Sequence, residues 1–210
     1  MENSPEVLKV APDRSRVLRS VLWTLLLFVV ILGAAVWILG VVPYRKFVRN
    51  LKVESARKFA EEIAAAVSTF HASYDKFPID SPAADWAGTT EAANGLIAVL
   101  TAAGSPAVTL RNPKKVNFLD GFKQAKKEVF GKMVDGIDDE TDPLLPAIYD
   151  LWGQPFIVIM DTNKDQVIAN PLKSGGVLLT RGKKALVYST GPPNADGTRN
   201  TDESKFITSW

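Results

Sequence analysis

The chain of 210 residues contains no cysteine and a single histidine. The first absence excludes disulfide frameworks, thiol nucleophiles and zinc–thiolate sites together. The second leaves one imidazole for the whole molecule. Charge of one sign is scarce as well: 25 Lys and Arg stand against 23 Asp and Glu, a net +2, and the basic residues form no long patch. Nucleic-acid binding needs a concentrated basic surface, so this balance gives it no support. Also missing are a Gly-x-Ser-x-Gly elbow, a Walker loop and a Gly-x-Gly-x-x-Gly fingerprint, the local devices of acyl and phosphate chemistry. His71 follows Phe70 in a helical pattern, which gives a packed or surface ring rather than a catalytic one. The pair Asp138–Asp139 lies in a run of like charge with nothing to split the two pKa values into acid and base. The chain reads as non-catalytic.

The most informative absence is local. Residues 21–42, VLWTLLLFVVILGAAVWILGVV, contain no charged side chain. A helix of that length rises roughly 33 Å, enough to cross a hydrocarbon core about 30 Å thick. Trp23 and Trp37 lie towards the two ends, where indole rings favour the interface. The apolar region of a cleaved signal peptide usually runs about 7–15 residues to a small-x-small site. Here Ala34–Ala35 falls inside the apolar run, so a retained transmembrane anchor is expected. Gly33, Ala34 and Ala35 are the small residues that permit close approach of a second helix. Lys9, Arg14, Arg16 and Arg19 precede the span and Arg45, Lys46, Arg49 and Lys52 follow it, a tie that leaves orientation unset by charge. A short basic tail before one anchor and a large distal domain favours a cytoplasmic N-terminus, with the rest beyond the inner (cytoplasmic) membrane.

Five segments follow. Residues 1–20 form a basic tail with Pro5 and Pro12 and too few apolar groups to offset ordering entropy. Residues 21–42 are the transmembrane helix. In residues 43–78, Ala56, Phe59, Ile63, Val67, Phe70 and Tyr74 recur at spacings of three and four, opposite Arg57, Lys58, Glu61 and Glu62. This predicts a long amphipathic helix ending at Phe77–Pro78. Pro43 either kinks a continuing helix or starts a new one.

Residues 79–146 are a variable insert. Its first part, 79–89, reads as loop, Thr90 as the N-cap of a helix over 92–102 stopped by Gly104–Ser105–Pro106, and 122–133 as a further helix. The acidic run 135–142 reads as a solvated loop. Residues 147–210 hold strand candidates at 155–160, 166–169, 177–180 and 185–189, an antiparallel meander whose inner face the long helix covers. The fold class expected is therefore α+β. Asp161, Asn163 and Asp165 have the first three ligand spacings of an EF-hand, but the required glycine is Gln166 and the closing glutamate is Leu172, so a hairpin turn is expected there.

Several local matches resemble the type IV pilin and pseudopilin superfamily, nearest to the major pseudopilin of type II secretion systems. Residues 60–78 (AEEIAAAVSTFHASYDKFP) are similar to that family's helix end, and 150–156 (DLWGQPF) resembles its Asp-Pro-Trp-Gly-x-Pro-aromatic lead into the sheet. Residues 187–197 (VYSTGPPNADG) resemble its Tyr-Ser-x-Gly-x-Asp-Gly stretch, and Ile207–Trp210 its Ile-x-Ser-Trp ending. The matches spare the insert. The resemblance implies a pilin-like fold and a non-catalytic subunit that packs or scaffolds in a secretion or pilus-type assembly, its partners the membrane, other copies or pseudopilin-like subunits. The alternative is a membrane-tethered binding module that keeps the fold without polymerising. Leu22 stands where that family has its cleavage glycine and Leu27 where it has a glutamate, which implies a fixed, unprocessed anchor. The family's C-terminal loop binds calcium. Carried over by position, that implies Asp196, with Asp202, Glu203 and the Ser189 carbonyl as further oxygen donors; the other reading of 191–205 is a metal-free loop held by Phe206 and Trp210.

Overall fold

The computed structural model describes residues 14–79, 81, 84–103, 110–125, 127–134, 136–139, 144–172, 179–194, 196 and 198–210. Two compact units divide between Asn50 and Leu51, and the fold class is α+β.

In the first unit, helix α1 (Arg14–Val36) passes into a wide π turn (Trp37–Val41) and then into α2 (Val42–Tyr74). The turn has a local cause. Pro43 has no N–H, and its ring presses on the carbonyl four residues earlier, which in a regular helix forces a break or a kink. Widening one turn, with the Val42 N–H donating to the Trp37 carbonyl, lets the helix pass the proline. The Arg45 guanidinium lies 5.4 Å from the centre of the Trp37 ring, within cation–π range. Every described side chain from 21 to 34 is exposed. The helical run Val21–Tyr74 contains an 18-residue window of mean hydropathy 3.0 with no part of it buried, the one candidate membrane span among the described residues. Residues 1–13 of the expected flexible tail lie outside the described residues, whereas Arg14–Ser20 are helical, because α1 begins about two turns before the apolar run.

The second unit is built on the C-terminal part of α2. Of the expected stripe, Ala56, Ile63, Val67 and Phe70 are buried, joined by Ala60 and Ala66, while Tyr74 is partly buried and Phe59 is partly buried against Phe122 and Phe156. The helix stops at Tyr74, three residues before the expected Phe77, because Asp75 adopts a left-handed φ of 52°. The remaining elements are β1 (Trp86–Thr89), α3 (Leu96–Thr101), β2 (Lys127–Val129), β3 (Lys132–Val134), β4 (Ile137–Asp138), β5 (Ala147–Ile148), β6 (Ile157–Met160), β7 (Val167–Ala169), β8 (Leu179–Arg181), β9 (Ala185–Ser189) and β10 (Ile207–Thr208).

The main sheet is antiparallel in the order β1-β6-β9-β10. Val158 and Met160 of β6 and Ala185 and Val187 of β9 join α2 and α3 in one core. On β9 the alternation puts Tyr188 on the other face, where Phe206 stacks on it at 5.5 Å and Trp210 meets it edge-on at 6.1 Å. All five residues of β9 are thereby buried.

Five expectations are corrected. Residues 86–89 are an edge strand rather than loop, so the insert supplies part of the main sheet. The segment 122–133 is no helix: β2 and β3 form a hairpin about Phe130 and Gly131, whose φ values of 50° and 72° are those of a tight mirror-image turn. Residues 167–169 do not return beside β6. They pair with β8, leaving β6 between β1 and β9. Thr90 is no helix cap either. It is buried, its hydroxyl donating to the Ile148 carbonyl and accepting from the Phe156 N–H, and Gly95 with φ 64° precedes α3 instead. The stop at 104–106 lies outside the described residues, as do Asp135, Glu140 and Asp142 of the acidic run. Of its other members, Asp138 is buried in β4 and Asp139 accepts from Gln124, so this part is not the solvated loop expected.

Candidate functional site

In the first unit, Gly33, Ala34 and Ala35 lie on α1. A Cβ placed on Gly33 meets nothing within 4 Å, so this face is open within the monomer. Leu22 and Leu27, at the departures from the pilin pattern, are exposed on the same helix.

The second unit contains a polar hub under α2. Asp150 is fully buried; its Oδ1 accepts from the Trp152 and Gln154 N–H groups, both at 2.9 Å, and its Oδ2 from the Ser189 hydroxyl. Ser189 Oγ in turn accepts from the Gly191 N–H at 2.9 Å. Gly191 is required there: its φ is 71°, and a Cβ would lie 2.6 Å from the Lys205 carbonyl oxygen. Lys52 donates to the Leu151 carbonyl at 3.2 Å and sits 5.7 Å from the Trp152 ring centre. Burial pushes Asp150 up to about 6, against the pull of these hydrogen bonds and of Lys52. The hub fastens the DLWGQP turn to β9 and α2, a structural role.

The calcium-loop residues are not drawn into one ligand set. Asp196 accepts from the N–H and hydroxyl of Thr198, at 3.0 and 2.6 Å. Asp202 caps the short 3-10 turn Glu203–Lys205 by accepting from Ser204, and pairs with Lys205 at 3.2 Å. Each carboxylate closes a local turn and is held below its usual range first by the neighbouring hydroxyl. Ser189, expected to offer its carbonyl, lies in β9 opposite Ile207 of β10, and its hydroxyl donates to Asp150.

Carboxylates do converge elsewhere. Asp85, Asp161 and Asp165 place one oxygen each within 4.8 Å of one another, the one such group among the described residues. The register explains it. Trp86 pairs with Met160, so the residue before β1 falls opposite the residue after β6. Thr162 fastens the juncture: its hydroxyl donates to the Ala84 carbonyl at 2.7 Å and accepts from the Trp86 N–H at 2.9 Å, gripping the backbone on both sides of Asp85.

Asp165 is brought back by a turn that needs two left-handed residues, Lys164 and Gln166, with φ of 60° and 65°. Gln166 thus adopts the conformation for which an EF-hand uses glycine. Asn163 organises the turn, accepting from the Asp165 N–H and donating to Asp165 Oδ2, both at 3.1 Å, while Asp165 Oδ1 accepts from the Val167 N–H. The Asp161 side chain is 0% exposed and neither of its oxygens has a hydrogen-bond partner; Lys184 Nζ lies 4.0 Å from Oδ2. Asp85 Oδ1 is likewise buried without a partner. Burial first, then the charges of Asp161 and Asp165, raises the Asp85 pKa. His71 lies within electrostatic range of Asp161 and Lys184, its pKa lowered chiefly by burial and its Nε2 buried without a partner.

The spacing of Asp161 and Asp165 was legible in the sequence. Asp85 carried no signal, because only the β1–β6 pairing brings it there. Comparisons with family models, curated proteins and solved structures give no match.

Proposed function

We propose that this protein is a non-catalytic, single-pass membrane subunit of pseudopilin-like architecture that works by packing or scaffolding, its N-terminus cytoplasmic and its second unit beyond the inner membrane. One observation carries the reading. The side chains of α1 from 21 to 34 are all exposed, whereas Ala56, Ala60, Ile63, Ala66, Val67 and Phe70 of α2 are buried in the core of the second unit. In water a continuous exposed apolar surface of that size costs roughly 25 cal/mol per Å², so α1 needs lipid or another helix around it. The departures at Leu22 and Leu27 support a fixed anchor. An intramembrane carboxylate is costly enough to need a partner, and this helix carries none.

Gly33 is the test of packing. The open space around it means that Gly33→Leu leaves the monomer unstrained, so an effect on cross-linking reads helix–helix contact alone. Packing through this face predicts a several-fold loss of cross-linked oligomer in native membranes. Unchanged cross-linking favours the second reading, a tethered module that does not polymerise. That reading draws on β1, by which the insert is part of the folded unit.

A further inference from the structure

We propose that Asp85, Asp161 and Asp165 bind a hard divalent cation, calcium in the first place, at the juncture of β1, β6 and the turn that follows it. Two independent observations carry this. The first is convergence: three carboxylates from segments far apart in sequence meet within 4.8 Å. Two oxygens bound to one calcium ion at 2.3–2.6 Å lie at most about 4.6–5.2 Å apart, so oxygens all within 4.8 Å of one another can share a single ion. The second is the state of Asp161. It is wholly buried, neither oxygen accepts a hydrogen bond, and both of its acidic neighbours lie alongside. Buried carboxylates are normally paired or bound to metal. The nearest cation, Lys184 at 4.0 Å, is beyond hydrogen-bond reach and offsets one of three negative charges.

Donor chemistry narrows the ion. An all-oxygen set without cysteine disfavours zinc and copper and suits calcium. Exposed Asp165 leaves one side open to water, from which calcium completes a shell of six to eight oxygens. The turn is already shaped for the task, with Gln166 left-handed and Asn163 holding Asp165 in place. This site is separate from residues 191–205.

The test uses the full chain in detergent micelles. Melting is followed in millimolar calcium and in EGTA, for wild type and for Asp85→Asn, Asp161→Asn and Asp165→Asn. Terbium(III) luminescence, sensitised by Trp86 next to Asp85 in sequence, serves as the direct binding readout. With calcium about 100-fold above Kd, wild-type Tm rises by roughly 5–10 °C, and each Asn variant loses most of the rise and of the terbium signal. In EGTA the Asp85→Asn and Asp165→Asn proteins melt at or above the wild-type temperature, because repulsion between carboxylates has been removed. A merely structural role for these side chains gives the opposite sign there. Identical wild-type midpoints in calcium and EGTA overturn the proposal. So does a calcium response kept by Asp85→Asn and Asp165→Asn but lost on Asp196→Asn with Asp202→Asn, which places the ion in the C-terminal loop.

Discussion

Asp150 makes the stability of the second unit depend on pH in the direction opposite to most carboxylates. Its pKa is raised from 3.8 to about 6, so between those values the folded protein holds a proton that the unfolded chain releases. The associated stability is fully present below pH 3.8 and is lost as pH rises through 6. A rise of that size corresponds to about 3 kcal/mol. Asp150→Asn keeps an acceptor for the Trp152 and Gln154 N–H groups and a polar partner for Ser189. The difference in unfolding free energy, wild type minus Asp150→Asn, should therefore fall by on the order of 2–3 kcal/mol between pH 4 and 7. Denaturant titrations across that range measure it, and a difference that stays constant refutes the hub's protonation. A sequence discloses Asp150 as an acidic residue ahead of a turn; its burial comes from β9 and α2 closing over it.

At the scale of elements, the sequence is clearest where one period dominates. The stripe of α2, the β-branched run of β6 and the apolar run of β9 stand out because each buries a continuous face. The hairpin of β2 and β3 is hidden because Phe122, Ala125, Val129 and Met133 have the spacing of a helix, while the left-handed conformation of Phe130 leaves no trace in residue type. Strand β1, Trp-Ala-Gly-Thr, is weakly β-forming by composition and exists through its pairing with β6. Contact between helix and sheet depends on small residues: Ala56 and Ala60 are 1% and 0% exposed. Enlarging one forces the helix outward or its neighbours off their rotamers, so Ala60→Leu should destabilise the second unit by about 1–3 kcal/mol. Equilibrium unfolding measures this, and a neutral result means that the helix–sheet interface is looser than its burial indicates.

The whole molecule joins an exposed apolar helix to a globular unit held by its own core. A charge at the centre of a membrane helix costs about 2.5–3.5 kcal/mol on insertion scales, and Val30, exposed near the middle of the apolar run, is the place to introduce one. Wild type should remain with the membrane pellet through alkaline carbonate extraction, and Val30→Lys should move a measurable share into the supernatant. Equal partition of the two proteins denies α1 its role as anchor. The candidate span is legible in the sequence because its length and apolar composition lie in one contiguous segment. The cation-binding juncture is not, because it depends on pairing between remote ones.

That remoteness governs the order in which the protein can be made. The central strand β6 joins Trp86 to Met160 on one side and Ile157 to Tyr188 on the other, so the sheet has no local nucleus. Loop-closure entropy opposes such pairings until both partners are present, which slows folding. During synthesis α1 emerges long before β9, so the apolar helix is complete while the sheet is still unfolded. Until β9 is made, the edges of a half-built sheet stay unpaired, and unpaired edges are templates for association with other chains.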